Sequence, residues 1–114
     1  MSITIIKSAA ALSSSALESL GPVRVPLDEP IAELRGCALR AAPECGVWEC
    51  TPGRWRRQVE SAEFCHFLLG RCTFTPDGGS PLEITAGDSV YFPAYTRGVW
   101  DVHETVRKTY VLIE

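Results

Sequence analysis

Residues 63–93, which read EFCHFLLGRCTFTPDGGSPLEITAGDSVYFP, indicate the fold most clearly. In this stretch, short runs rich in β-branched and aromatic residues alternate with turns that contain glycine and proline. Short strands at close spacing with such turns between them are typical of an all-β sandwich or barrel. Residues 76–80, PDGGS, predict a hairpin turn because glycine adopts the positive φ that tight turns require.

The same pattern continues on both sides of this stretch. Two further short strands are predicted at 24–27 and 37–40 in the first part of the chain. From residue 46 onward the pattern predicts strands at 46–51, 54–60, 63–69, 71–75, 82–85, 88–92, 98–103 and 105–113.

The first part of the chain has a different composition. All ten aromatic residues (three Trp, three Tyr and four Phe) lie between Trp48 and Tyr110. Because aromatic side chains supply much of the buried area of a small core, residues 1–36 are predicted to form an N-terminal arm. Residues 37–114 are predicted to form the barrel domain on which the arm packs. Residues 9–20 contain helix formers, and any helix there would end at Gly21.

Length and charge restrict the class of protein. The chain has 114 residues, which suits one domain. Acidic residues outnumber basic ones 14 to 11, so a nucleic-acid partner is not expected. No run approaches the roughly 18 apolar residues of a membrane span, and the order of charge and apolar residues at the N-terminus is wrong for a signal peptide. We therefore expect a cytoplasmic protein without a membrane partner.

The five cysteines predict buried thiols rather than a metal or redox site. They are odd in number, and no pair has the CxxC spacing of zinc and thioredoxin-like sites. Cysteine is among the most buried residue types, and free thiols are normal in a reducing cytosol.

Two spaced motifs resemble those of the cupin superfamily. Glu63 and Gly70 are separated by six residues, and Gly87 and Pro93 by five. These spacings resemble the end of the first cupin motif and the beginning of the second. With the segments 46–54 and 98–110, the likeness covers about residues 21–114. Within the superfamily, the chain most resembles small single-domain cupins of the (S)-ureidoglycine aminohydrolase type and of the ethanolamine-utilisation group. The resemblance implies a single RmlC-like jelly-roll β-barrel, all-β, with a ligand pocket in its mouth.

The metal ligands that the resemblance would imply are mostly missing. In metal-binding cupins two histidines spaced H-x-H precede the motif glutamate, and a third follows the motif proline. Here the first two positions hold Arg57 and Val59, or Arg56 and Gln58 in the other register, and the third holds Gly98. Glu63 alone remains, and a well-held cation needs three or more protein donors. We therefore predict no metal and no other cofactor.

Seven residues are the candidates for a site inside the barrel. The resemblance implies a pocket that binds a small polar metabolite, and Glu49, Glu63 and Lys108 are the candidate catalytic groups in it. Two alternatives remain: a metal-independent lyase, isomerase or hydrolase acting on a small nitrogenous or carboxylate metabolite, or a purely structural cupin dimer in which Glu63 is merely charge-compensated. The predicted ligand-binding residues are Glu49, Arg57, Glu63, Phe92, Trp100, Lys108 and Tyr110.

Strand alternation assigns faces to the residues around Glu63. If Glu63 points inward, Cys65, Phe67 and Leu69 share its face, and Phe64, His66 and Leu68 point outward. Val90 and Phe92 are expected to point inward on the same reasoning, and Gly98, Trp100 and Val102 are expected to share one face of their strand. The outward stripe of Phe64 and Leu68 suggests a contact surface, so a homodimer is expected. Trp48 and Trp55 are interpreted as core or interface residues, and alternation alone leaves the faces of Trp48 and Glu49 open.

Overall fold

The computed structural model describes residues 2–113 and is built almost entirely of antiparallel strands. One 3₁₀ turn, Ser14–Ala16, precedes the first strand, and these described residues contain no α-helix. The strands are β1 (Glu18–Pro22), β2 (Glu33–Ala41), β3 (Glu44–Cys50), β4 (Gly53–Arg56), β5 (Ala62–Pro76), β6 (Leu82–Thr85), β7 (Ser89–Phe92) and β8 (Gly98–Ile113).

The long strands β5 and β8 are the spine of the fold. They pair with each other along nearly their whole length. On the outer side of β8, β3 pairs with its C-terminal half and β4 with its N-terminal half. On the outer side of β5, β7 pairs with its N-terminal half and β6 with its C-terminal half. The strands β2 and β1 extend the sheet beyond β3. The result is the predicted all-β jelly roll.

The predicted strand breaks at Gly70 and Glu104 are not breaks, because β5 and β8 run through them. The pairing of β5 with β8 instead shifts register between Phe67 and Cys72. Gly70 has φ +84° there, a conformation that residues with a Cβ rarely adopt. The shift corrects one predicted face: Leu69 is exposed rather than inside, whereas Cys65 and Phe67 are buried as predicted.

Residues 9–20, which contain helix formers, form a loop, the 3₁₀ turn and the start of β1 rather than an α-helix. A helix would use the carbonyls of Ala9 and Leu12 within its own backbone. Here the guanidinium of Arg107 donates to both of them, at 3.0 and 2.7 Å. The predicted strand at 24–27 is reduced to one bridge, between Pro26 and Trp55, which is closed by the backbone hydrogen bonds from Leu27 to Arg54 and from Arg56 to Val25.

A cluster of buried apolar side chains forms the core of the fold. Phe67, Phe74, Phe92 and Trp100 pack there in tilted and edge-to-face arrangements, with Trp100 in the middle. Val23 and Ala32, from the part predicted as an arm, also belong to this core. The predicted division after residue 36 falls inside β2.

The predicted strand at 54–60 ends at Arg56, so residues 57–61 form a loop at the mouth of the barrel. Arg57 begins this loop, and its backbone N–H donates to the carbonyl of Gly98 at 3.0 Å. In the part of the chain that is described, no helix is long and apolar enough to cross a membrane.

Candidate ligand-binding site

A cavity of about 250 Å³ opens at the mouth of the barrel. Strands β1, β3, β4, β5 and β8 and the loop after β4 contribute to its wall. Pockets for drug-sized ligands are usually about 300–1,000 Å³, so this cavity suits a smaller molecule. Its lining residues are Leu20, Glu44, Trp48, Trp55, Arg57, Val59, Glu63, Trp100, Lys108, Tyr110 and Leu112.

The floor of the cavity is a buried group of three charges, made by Arg57, Glu63 and Lys108. Glu63 Oε1 accepts from Arg57 Nη2 at 3.0 Å, and Glu63 Oε2 accepts from Lys108 Nζ at 2.7 Å. The side chains of all three residues are at most 6% exposed. Burial by itself would raise the pKa of Glu63, but Lys108 and Arg57 outweigh it and hold that pKa below its usual value. Glu63 is therefore an ionised carboxylate between two cations.

Arg57 is fixed by contacts besides Glu63. Its Nη1 donates to the carbonyls of Val59 and Thr96, both at 3.0 Å, which ties the loop after β4 to the loop before β8. Its guanidinium lies 4.5 Å from the centroid of the Phe92 ring. Phe92 thus supports Arg57 from the core and does not itself line the cavity, although alternation correctly predicts that it points inward.

Three tryptophans form the aromatic wall above this floor. The ring centroids of Trp48, Trp55 and Trp100 lie 6.1–6.3 Å from one another. Lys108 Nζ is 4.4 Å from the Trp48 centroid and 5.2 Å from that of Trp100. Trp48 and Lys108 are directly paired across β3 and β8, so they share one face of the sheet. Trp48 and Trp55, interpreted from the sequence as core or interface residues, therefore line the cavity as well.

Glu49 lies on the opposite face of β3 and does not line the cavity. Its register partner on β8 is Arg107, whose Nε and Nη2 donate to Glu49 Oε1 at 3.1 and 2.7 Å. Because successive residues of a strand point to opposite faces, Trp48 and Glu49 cannot both enter the barrel. Arg107, which the sequence analysis did not single out, joins Glu49 to the arm. The pairing of β3 with β8 therefore decides the face that alternation leaves open, and Glu49, predicted as a ligand-binding residue, lies outside this cavity.

The rim of the cavity carries a polar pair. The Tyr110 hydroxyl donates to Glu44 Oε2 at 2.9 Å, and burial together with this carboxylate raises the pKa of Tyr110. Tyr110 lines the cavity as predicted from the sequence. Leu20 of β1 also reaches the cavity, so the N-terminal part helps to form its wall.

The residues present do not fit the metal that a cupin fold implies. The acidic lining residues are Glu44 at the rim and Glu63, and both oxygens of Glu63 are taken by nitrogen cations. Within residues 2–113 no group of three or more His, Cys, Asp and Glu side chains is placed to hold a metal ion. His66 instead hydrogen-bonds Ser89 at 2.8 Å, and His103 hydrogen-bonds Thr73 at 2.9 Å. Two cations in contact with the one floor carboxylate would repel a third.

The buried cysteines do not serve the site as reactive thiols. Burial raises the pKa of Cys50 and Cys72 to about 12 and that of Cys65 to about 11. A thiol must ionise to act as a nucleophile or metal ligand, so these three thiols are core residues. Cys37 is exposed and Cys45 is half-buried.

A jelly roll with the two spaced glycine motifs and a ligand-sized cavity at its mouth defines the protein as a small cupin. The chain belongs to the EutQ-like cupin domain family, whose model matches residues 40–110. None of the curated proteins matches the chain significantly.

Solved structures agree with this assignment. The chain resembles a DUF861-family protein of unknown function from Pseudomonas syringae pv. tomato, at 22% identity and a TM-score of 0.76, over 91% of this chain and 46% of that one. It thus spans less than half of that protein. A DUF861-family protein from Thermotoga maritima is 33% identical, with a TM-score of 0.58, over 60% of this chain and 78% of that one. The Clostridium difficile EutQ protein is 20% identical, with a TM-score of 0.64, over 79% of each chain.

Proposed function

We propose that the protein binds a small polar metabolite in the barrel cavity without the metal usual in cupins. The observation that carries this proposal is the buried group of Arg57, Glu63 and Lys108 beneath three tryptophans. Charged side chains are costly to bury, and buried ion pairs can often be replaced by apolar residues of similar size without loss of stability. Polar groups that converge on an otherwise aromatic cavity are the usual composition of a small-molecule site.

Binding is better supported than catalysis at these residues. A general base works best when its pKa lies near the operating pH. The two cations hold the pKa of Glu63 below its usual range, so its carboxylate is a weak base at neutral pH. Glu49, the other candidate base, faces away from the cavity and is held by Arg107.

A ligand screen by thermal shift tests the proposal. A library of polar metabolites should contain members that raise the melting temperature of the wild type but not that of Lys108→Met. The chain's other lysine, Lys7, is exposed in the arm, so Lys7→Met is a matched control that should keep the wild-type response. Equal shifts in the wild type and Lys108→Met would remove this cavity from the binding site.

We also propose that the protein is a cytoplasmic homodimer that pairs through the outer face of the sheet around Phe64. Phe64 and its cross-strand neighbour Tyr91 are 45% and 57% exposed, and exposed aromatic pairs of this kind mark contact surfaces. The free thiols support a reducing compartment. Light scattering at micromolar concentration should give twice the chain mass of 12.5 kDa, and a monomeric mass would contradict the dimer. Phe64→Glu should reduce a dimer to monomers.

A further inference from the structure

We infer that the ligand of this cavity is a small planar molecule with one negative charge, such as an aromatic or conjugated carboxylate. This inference rests on the proposed function and specifies its ligand class. Its first support is the charge of the floor. Arg57 and Lys108 contribute two positive charges and Glu63 one negative charge, so the three together carry +1. Such a net charge is costly in a buried position, and a bound monoanion would neutralise it.

Lys108 is the group placed to hold the anion. An ammonium group has three N–H donors, and Glu63 takes one of them at 2.7 Å. Lys108 lines the cavity, so its remaining donors can reach a ligand there. Arg57 is less free, because its Nη1 already donates to two backbone carbonyls. A charge-assisted hydrogen bond to Lys108 would therefore orient the carboxylate.

The aromatic wall favours a planar body and disfavours a cationic one. Indole faces attract cations, but here the ammonium of Lys108 already lies over the rings of Trp48 and Trp100. A ligand cation would enter next to that like charge. A planar π-system without positive charge can instead pack against Trp48, Trp55 and Trp100 in offset or edge-to-face geometry.

The charge on Glu44 does not reverse this conclusion. Glu44 is exposed at the rim and accepts from the Tyr110 hydroxyl, so water and that hydroxyl screen its charge. The floor charges are desolvated, and electrostatic interactions there are several times stronger than at the surface. The ligand's charged end should thus lie at the floor, and its uncharged end should point to the rim.

Three probes of nearly identical planar shape test the charge directly. Benzoate, benzamide and benzamidine carry −1, 0 and +1 at neutral pH, and calorimetry on the full chain measures each affinity. We expect benzoate to bind about tenfold tighter than benzamide, the usual gain of a charged hydrogen bond, and benzamidine to show no binding. Cyclohexanecarboxylate, which keeps the charge but is not planar, should bind more weakly than benzoate.

Two variants should move the benzoate affinity in opposite directions. Lys108→Met makes the floor neutral and should abolish the preference for benzoate over benzamide. Glu63→Gln raises the floor charge to +2 and should tighten benzoate binding by about tenfold. Arg71→Gln, on the outer surface in an exposed pair with Glu104, is the matched control and should leave both affinities unchanged.

The outcomes separate this inference from the proposed function. Equal affinity for benzoate and benzamide, or tighter binding of benzamidine, would overturn the inference while leaving a functional cavity. Failure of all three probes would likewise overturn it, and hits in the metabolite screen that depend on Lys108 would still support the proposed function. Weaker benzoate binding by Glu63→Gln would show that Glu63 orients the ligand rather than competing with it, which contradicts the charge argument.

Discussion

Replacing Arg107 by methionine should strongly destabilise the fold, because this side chain joins the arm to the sheet. Arg107 and Glu49 have side chains only 2% and 3% exposed, with Arg107 Nη2 2.7 Å from Glu49 Oε1. The remaining Arg107 nitrogen, Nη1, donates to the carbonyls of Ala9 and Leu12. Arg107→Met would leave the Glu49 carboxylate buried without a cation and release the arm.

The expected loss follows from these contacts. Removing one partner of a buried ion pair costs about 3–5 kcal/mol, since the other charge stays desolvated. The arm carbonyls can turn toward water, so their lost hydrogen bonds add at most about 1 kcal/mol each. We expect the free energy of unfolding to fall by about 4 kcal/mol and the melting temperature by about 10–20 °C. This is a large share of the 5–15 kcal/mol typical of a domain.

Equilibrium urea unfolding measures the change, with Arg71→Met as the matched control. Arg71 pairs with Glu104 on the surface, where the two side chains are 50% and 65% exposed. Exposed pairs contribute about 0–1 kcal/mol, so Arg71→Met should change little. A double-mutant cycle with Glu49→Gln should give a coupling energy of about 2 kcal/mol or more. Equal losses in Arg107→Met and Arg71→Met, or no coupling, would contradict the role of Arg107 as the link between the arm and the sheet.

Three further predictions concern the spine, the thiols and the floor. Gly70→Ala should lower the free energy of unfolding in urea by about 2 kcal/mol or more, because φ is +84° and a Cβ there would clash with the β8 backbone. Gly78→Ala, where φ is +74° and the space around the Cβ is open, should lower it clearly less. Equal losses in the two variants would contradict the clash. In a thiol titration of the native protein at pH 8, Cys37 and Cys45 should react, and the three thiols with raised pKa should react only after denaturation. The pKa of Glu63 in the folded protein is lowered from 4.5, so its ion pairs stabilise the protein above pH 4.5, and this stabilisation is lost as the pH falls through the folded-state pKa. The stability advantage of the wild type over Glu63→Gln should therefore shrink between pH 6 and 3. A constant difference would show that Glu63 is not ionised.

Most of the fold could be predicted from local pattern, because the alternation of side chains along a strand and the turns formed by glycine and proline each depend on only a few neighbouring residues. Local pattern could not show that β5 and β8 are continuous. Gly70 is indistinguishable from a turn glycine in the sequence, whereas in the structure it allows a register shift while the pairing continues. Local pattern could not decide between helix and loop over residues 9–20 for a related reason, since Arg107, nearly a hundred positions away, takes the carbonyls of the arm.

The residues of the candidate site likewise divide into those that could be predicted from local pattern and those that depend on strand pairing. Arg57, Glu63, Trp100, Lys108 and Tyr110 line one cavity, and each could be proposed from the motif register or from alternation within its own strand. Which residues of β3 point into the barrel could not be predicted from the sequence of β3 alone. Their orientation follows from the pairing of β3 with β8, which sets Trp48 against Lys108 and Glu49 against Arg107. A shift of one residue in this register would have set either Trp48 against Arg107 or Glu49 against Lys108, and would have reversed the faces of both β3 residues.

The floor shows how a cupin can lack metal ligands and still keep a charged centre. A divalent ion held by one glutamate and neutral histidines carries a net charge of +1. Arg57, at one of the predicted histidine positions, and Lys108 bring two positive charges to Glu63, and the sum is again +1. The chemistry differs, because guanidinium and ammonium groups offer N–H donors in fixed directions rather than open coordination positions. Such a centre can attract and orient an anion, but Arg57 and Lys108 cannot by themselves lower the pKa of a water molecule as a coordinating metal does.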